Sequence, residues 1–205
     1  MADKLCIDLC SGLGGFSRAF VDAGWEVITV DIEPKFKPKI VADLTAIDWQ
    51  QFHATVLKGR TPDLLLASPP CERFSLTNGS HRFNGWPKPG IGKALAIVGA
   101  VLESIAILHP HFYVIENPKA RLRWFIGTPR HSIRQSDYGF KTMKPTDLWT
   151  NVELGLIEGQ RGYQSWAEFC NNNRRAKRAE VASLLSEAIL TAVEATAQKS
   201  PERSD

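Results

Sequence analysis

Strand-length apolar runs alternate with amphipathic stretches along this chain, at the spacing of a parallel sheet flanked by helices. Leu5 to Leu9 is the first such run. It breaks at Cys10-Ser11-Gly12-Leu13-Gly14-Gly15, a tight turn predicted to open a helix with Phe16, Ala19, Phe20 and Ala23 on its core side and Gly24 at its end. Val27 to Val30 reads as a second strand ending on Asp31, and a third short unit ends near Asp43-Leu44. Pro62 precedes a buried strand that runs through Leu64-Leu65-Leu66-Ala67 and delivers Ser68-Pro69-Pro70-Cys71-Glu72-Arg73-Phe74-Ser75 at its mouth.

The stretch from Thr77 to Gly92 is dense in Gly, Pro, Asn and basic residues and too long for a mere connector, so a mobile active-site loop is expected there. Ile91 to Leu108 is a strongly apolar helix, and Phe112 to Ile115 a buried strand ending on Glu116-Asn117-Pro118. Ile133 to Gly139 and Thr146 to Asn151 read as late strands forming a hairpin. Val181, Leu184, Leu185, Ala188, Ile189, Ala192 and Val193 follow helical spacing and give one packing face. The pattern predicts a doubly wound, mostly parallel α/β sheet in a single domain over residues 1–197, with a flexible tail over 198–205.

Composition adds little to this but excludes much. With 205 residues, 43% hydrophobic and 23% charged, the chain has the makings of a full core, and its longest apolar stretches are strand-length or broken by charge. A cytoplasmic protein without a membrane span is expected. The four cysteines, Cys6, Cys10, Cys71 and Cys170, lack metal-ligand spacing and are too few for a disulfide scaffold, so reduced thiols and no metal site are expected. A net charge of +3 is compatible with a polyanionic partner and equally with an ordinary solvated surface.

Three places carry candidate chemistry. Glycines in the first turn let the backbone approach a ligand, and the helix start beyond it offers amide donors to an anionic group. Asp31, ending the next strand, sits where a ribose diol is gripped in nucleotide-binding sheets; a helix cap or a surface carboxylate would look the same. Cys71 at a strand mouth is either a nucleophile or a packed thiol, and Glu116 either its proton donor or an N-cap. Both follow long buried strands, which should bring them to one rim of the sheet.

Together, Asp8-Leu9-Cys10-Ser11-Gly12-Leu13-Gly14-Gly15-Phe16, Ser68 to Ser75 and Glu116-Asn117-Pro118 resemble, in order and spacing, the cofactor, nucleophile and proton-donor motifs of the C5-cytosine DNA methyltransferases. The likeness spans residues 5 to 150 and extends to Lys144-Pro145-Thr146-Asp147-Leu148-Trp149-Thr150-Asn151, similar to a segment of small phage and prophage members. The resemblance implies a Rossmann-like fold and S-adenosylmethionine (SAM) as methyl donor. Its contacts would come from Asp8, Cys10, Gly12, Leu13, Gly14, Gly15, Phe16, Asp31, Ile32, Asp43, Leu44 and Pro69, with Asp31 on the ribose and Asp43 on the adenine amino group. It also implies Cys71 as the thiolate that attacks cytosine C6, Glu116 on N3 and the exocyclic amine, and Arg134 as the arginine that contacts the base and props the site. Pro70, Arg73, Ser75, Arg82 and Asn117 would touch the substrate, a cytosine flipped out of DNA.

The chain departs from the family pattern at Cys10, where an aromatic is usual, and at Pro118, where a valine is usual. Asn171-Asn172-Asn173 is only a shadow of the family's Asn-rich signature, and the stretch between Tyr138 and the last helix is short for a target recognition domain. A DNA cytosine-C5 methyltransferase of relaxed sequence specificity is therefore expected, with a protein partner or self-association as a source of further recognition surface. RNA methylation and an inactive SAM-binding regulatory subunit are the alternatives.

Overall fold

The computed structural model describes residues 4–75, 89–138, 144–155 and 183–199. The strands are β1 (Leu5–Leu9), β2 (Glu26–Asp31), β3 (Ile40–Val41), β4 (Leu64–Ala67), β5 (Phe112–Pro118), β6 (His131–Arg134) and β7 (Pro145–Thr150). They form one sheet in the order β3-β2-β1-β4-β5-β7-β6. The first five are parallel, and β7 and β6 run antiparallel as an edge hairpin. The helices are α1 (Arg18–Asp22), α2 (Trp49–Thr55), α3 (Ile91–Leu108), α4 (Arg123–Ile126) and α5 (Ser183–Lys199).

Strands buried on both faces read as continuous apolar runs because alternate side chains enter two different cores. Leu5, Ile7, Leu9, Leu65 and Ile115 point to the side covered by α2 and α3, with Trp49, Phe52, Val98 and Val101. Cys6, Leu64, Leu66 and Val114 point to the opposite side, which Phe16, Phe20, Leu185, Ile189 and Val193 of the α1 and α5 layer close. This is the doubly wound arrangement. By length and composition α3 could cross a membrane, but here its Ala94, Val98, Val101 and Leu108 are buried in the first core.

Boundaries differ from the sequence reading in four places. The first helix spans just five residues, and Ala23 is exposed as its C-cap, with Gly24 following at φ 81°. β5 continues through Glu116-Asn117-Pro118 because these residues find antiparallel partners in Leu148, Asp147 and Thr146. β6 stops at Arg134; Gln135–Tyr138 turn into a 3₁₀ helix that buries Gln135 and Tyr138 rather than alternating them along a strand. The last helix reaches Lys199, so Gln198 belongs to it, held by a buried Val193 and a Lys4–Glu194 ion pair in its final turns. Its packing face is Leu185, Ile189 and Val193, while Leu184 is exposed and Val181 lies outside the described residues. So do Arg82 and the rest of residues 77–88 in the Thr77 to Gly92 loop.

Candidate active site at the carboxyl rim of the sheet

The strand order reverses between β1 and β4, and the crevice outside the carboxyl ends of strands at such a point is where open α/β sheets bind ligands. The turn after β1 forms one wall. Its backbone is left-handed at Cys10 (φ 55°), Gly12 (52°) and Gly14 (75°), and at the two glycines a Cβ would meet nothing within 4 Å, so open space lies over the turn. Asp31 braces it: one carboxylate oxygen accepts the Gly12 N–H at 2.8 Å and the other accepts the Glu33 N–H at 2.8 Å.

Behind the turn lies Asp8, fully buried. Its Oδ2 accepts a 2.6 Å hydrogen bond from the Ser17 hydroxyl, and its Oδ1 has no partner. Burial pushes this carboxyl from the usual 3.8 up to about 7, partly offset by the Ser17 bond and assisted by the Asp31 charge. Burial raises the Cys10 thiol far above its ordinary value too, with Asp31, Asp8 and Asp43 adding to the effect. Asp43 caps the 3₁₀ turn Leu44–Ala46, and the Thr45 hydroxyl and amide hold its carboxyl below the ordinary range. Of the remaining residues expected here, Leu13 and Ile32 are exposed, whereas Leu44 and Phe16 are buried in opposite cores.

β4 forms the other wall. Beyond it the half-buried Cys71 starts a turn whose carbonyl accepts the Phe74 and Ser75 amides at 3.0 and 2.8 Å. Phe74 is fully buried and anchors that turn, leaving Pro70 and Arg73 exposed. Asn117 Nδ2 donates to the Pro69 carbonyl at 2.9 Å, which brings the end of β5 to the Cys71 turn as the sequence implied. Ser68 Oγ and Asn117 Oδ1 are buried without partners.

Glu116 is 4% exposed, and two buried residues that the sequence reading missed stand on its Oε1: Gln135 Nε2 at 3.2 Å and Lys144 Nζ at 3.6 Å. Arg134, expected to reach the base, is exposed on the outermost strand of the hairpin, and its neighbour Gln135 occupies the interior position. The signal for Lys144 lay in the 144–151 segment, but nothing in a linear pattern marks it as buried. Arg123 was missed as well; its guanidinium grips Asp147, which is fully buried, at 2.6 to 3.0 Å. On the rim beside Phe74, Trp124 and Phe125 are exposed, with Phe125 edge-on to Phe74 and Arg121 over the Trp124 ring.

This sheet, with a reversed strand beside β5 and a glycine turn facing a cysteine at the switch point, defines the Rossmann-like methyltransferase class. The E. coli "putative DNA modification methyltransferase encoded within prophage Cp" shares the fold at a TM-score of 0.53 and 17% identity, over 75% of this chain and 49% of that one. The family profile of the C-5 cytosine-specific DNA methylases matches residues 5–123, and the chain belongs to that family. It is 30% identical to the "Probable DNA (cytosine-5)-methyltransferase" of Frog virus 3 (isolate Goorha), over 72% of this chain and 70% of that protein. It is also 30% identical to the type II methyltransferase M1.HphI of Haemophilus parahaemolyticus, over 54% of this chain. The chain spans 31% of that relative's length and about half of the solved prophage protein's.

Proposed function

We propose that this chain methylates C5 of cytosine in DNA, using SAM and a covalent Cys71 adduct. The hydrogen bond from Asn117 to the Pro69 carbonyl carries the reading, because it fastens the strand bearing Glu116 to the turn bearing Cys71.

The rim suits the cofactor. The open space over Gly12 and Gly14 accommodates its amino-acid end, Asp31 retains lone pairs for a ribose diol beyond the two amides it accepts, and the unpartnered Ser68 and Asn117 oxygens await polar ligand atoms. When bound, SAM supplies an electrophilic methyl group.

Cytosine C5 is a poor nucleophile until C6 is attacked. The Cys71 thiolate forms a bond to C6, the C5=C6 electron pair shifts to C4–C5, and N3 takes a proton from Glu116. C5 then carries enough electron density to accept the methyl group, with S-adenosylhomocysteine as the leaving group, and as the C4–N3 double bond re-forms the N3 proton returns to Glu116. Loss of the C5 proton to a base then expels the thiolate and restores the ring. C6 is inaccessible inside a stack, so the base is flipped, and Arg73, Lys119 and the exposed Trp124 on the rim suit the phosphates and bases around it.

DNA carrying 5-fluorocytosine tests this directly, since fluorine at C5 cannot leave as a proton. With SAM the wild type should form a covalent complex resistant to denaturant, and Cys71→Ala should form none while still binding SAM. An adduct on the equivalent RNA alone would move the substrate to RNA, and a variant lacking Cys71 that still methylates would overturn the mechanism.

A further inference from the structure

We infer that Lys144 and Gln135 are positioning residues that hold the Glu116 carboxyl by Oε1 and so present Oε2 to the target base. The inference rests on the methyltransferase reading above and adds to it the device that orients the proton donor.

A directional chain of hydrogen bonds fixes the arrangement. Thr146 Oγ1 donates its single proton to the Lys144 carbonyl at 3.1 Å, so toward Gln135 it can act only as acceptor, and Gln135 Nε2 donates to it at 3.0 Å. The second proton of the same nitrogen is then directed at Glu116 Oε1, 3.2 Å away. Rotating this amide by half a turn would set its oxygen against a carboxylate, so the side chain has one workable orientation. The Lys144 carbonyl also accepts the Gln135 amide at 3.2 Å, closing the frame on the backbone that carries the ammonium.

Lys144 Nζ approaches the same oxygen, 3.6 Å from Oε1. Gln135, Lys144 and Glu116 are 0%, 2% and 4% exposed. A buried ion pair is a poor source of stability, because removing both charges from water offsets most of their attraction, and an apolar pair of similar volume does as well or better. The place of Glu116 on β5, one residue before the Asn117 that bonds to the carbonyl of Pro69 ahead of Cys71, gives the pair a use. Among the described residues the partners of Glu116 fall on Oε1, so Oε2 is the oxygen left to meet N3 and the exocyclic amine. The positive charge comes from the residue just before β7, whereas Arg134 on β6 is exposed.

The test compares Lys144→Met, Lys144→Arg and Gln135→Leu with wild type in single-turnover trapping on 5-fluorocytosine DNA, alongside DNA affinity, SAM affinity and melting temperature. Lys144→Met and Gln135→Leu should slow trapping about 10- to 100-fold, the scale on which a misplaced reacting group acts. Both affinities should stay within about threefold of wild type, and Lys144→Arg should recover most of the rate. Should Lys144→Met fail to fold, Thr146→Val, which removes the acceptor that orients Gln135, is expected to slow trapping in the same way. Unchanged trapping in any folded variant of these, a loss matched by an equal loss of DNA affinity, or no recovery in Lys144→Arg overturns the inference. Absence of trapping in the wild type would instead sink the underlying function.

Discussion

Asn117 reaches across from β5 and donates a 2.9 Å hydrogen bond to the carbonyl of Pro69, two residues before Cys71. The two prolines before the thiol stiffen their own segment of backbone, but only this bond registers it against the strand that carries Glu116.

Asn117→Ala should therefore lower stability by about 1 to 3 kcal/mol, the cost of leaving a buried carbonyl unpaired. Asn117→Asp should be worse than alanine, because an acceptor then faces an acceptor. Thermal denaturation with single-turnover trapping checks both; equal behaviour of the two variants would mean that the bond does not hold the turn.

Asp31 serves the turn and, in the proposed function, the cofactor. Asp31→Ala removes the acceptor of the Gly12 and Glu33 amides and should weaken SAM binding by roughly 1.5 to 3 kcal/mol, as for a lost charge-assisted hydrogen bond. Calorimetry showing unchanged affinity would place the ribose elsewhere.

The buried Asp8 makes stability depend on pH. Its carboxyl titrates at about 7 in the folded chain and at 3.8 when exposed, so between those values the folded state holds the extra proton and stability falls as pH rises. Below about 4 and above about 7 the contribution is flat. Asp8→Asn keeps an acceptor for Ser17 and cannot ionise. Across urea titrations from pH 4 to 7.5 the wild type should lose stability relative to this variant; parallel curves would show that Asp8 does not titrate in that window.

Recognition should be relaxed. Exposed Arg73, Lys93 and Lys119 suit phosphates, which give affinity without sequence information, and the span between Tyr138 and α5 is short for a separate recognition domain. Methylation by the isolated chain should tolerate many flanking sequences and fall steeply with salt. Deep bisulfite sequencing of a methylated random-sequence library decides it: a stringent site of about four or more bases would show that this span or the Thr77 to Gly92 loop reads base edges directly.

Much of this was legible in the linear pattern. The strand cores from Leu5, Val27, Leu64 and Phe112, and the helix over Ile91–Leu108, were set by apolar runs of the right length, since buried strands and a core helix must hide nearly every side chain. The turn at Gly12 and Gly14 and the delivery of Cys71 and Glu116 to one rim were equally local, because strand direction alone carries each to the carboxyl edge. Tertiary structure decided the rest. Gln135 and Lys144 sit nine positions apart around a hairpin end and meet Glu116 only when β7 pairs with β5, and no periodicity announces a buried lysine. Arg134, one residue from Gln135, shares the outward face of β6 with Ser132, and the next position, where the chain turns into a 3₁₀ helix, carries Gln135 to the interior. Local pattern determines which residues enter strands and turns; which of two neighbouring polar side chains reaches the acid is settled by packing between strands distant in sequence.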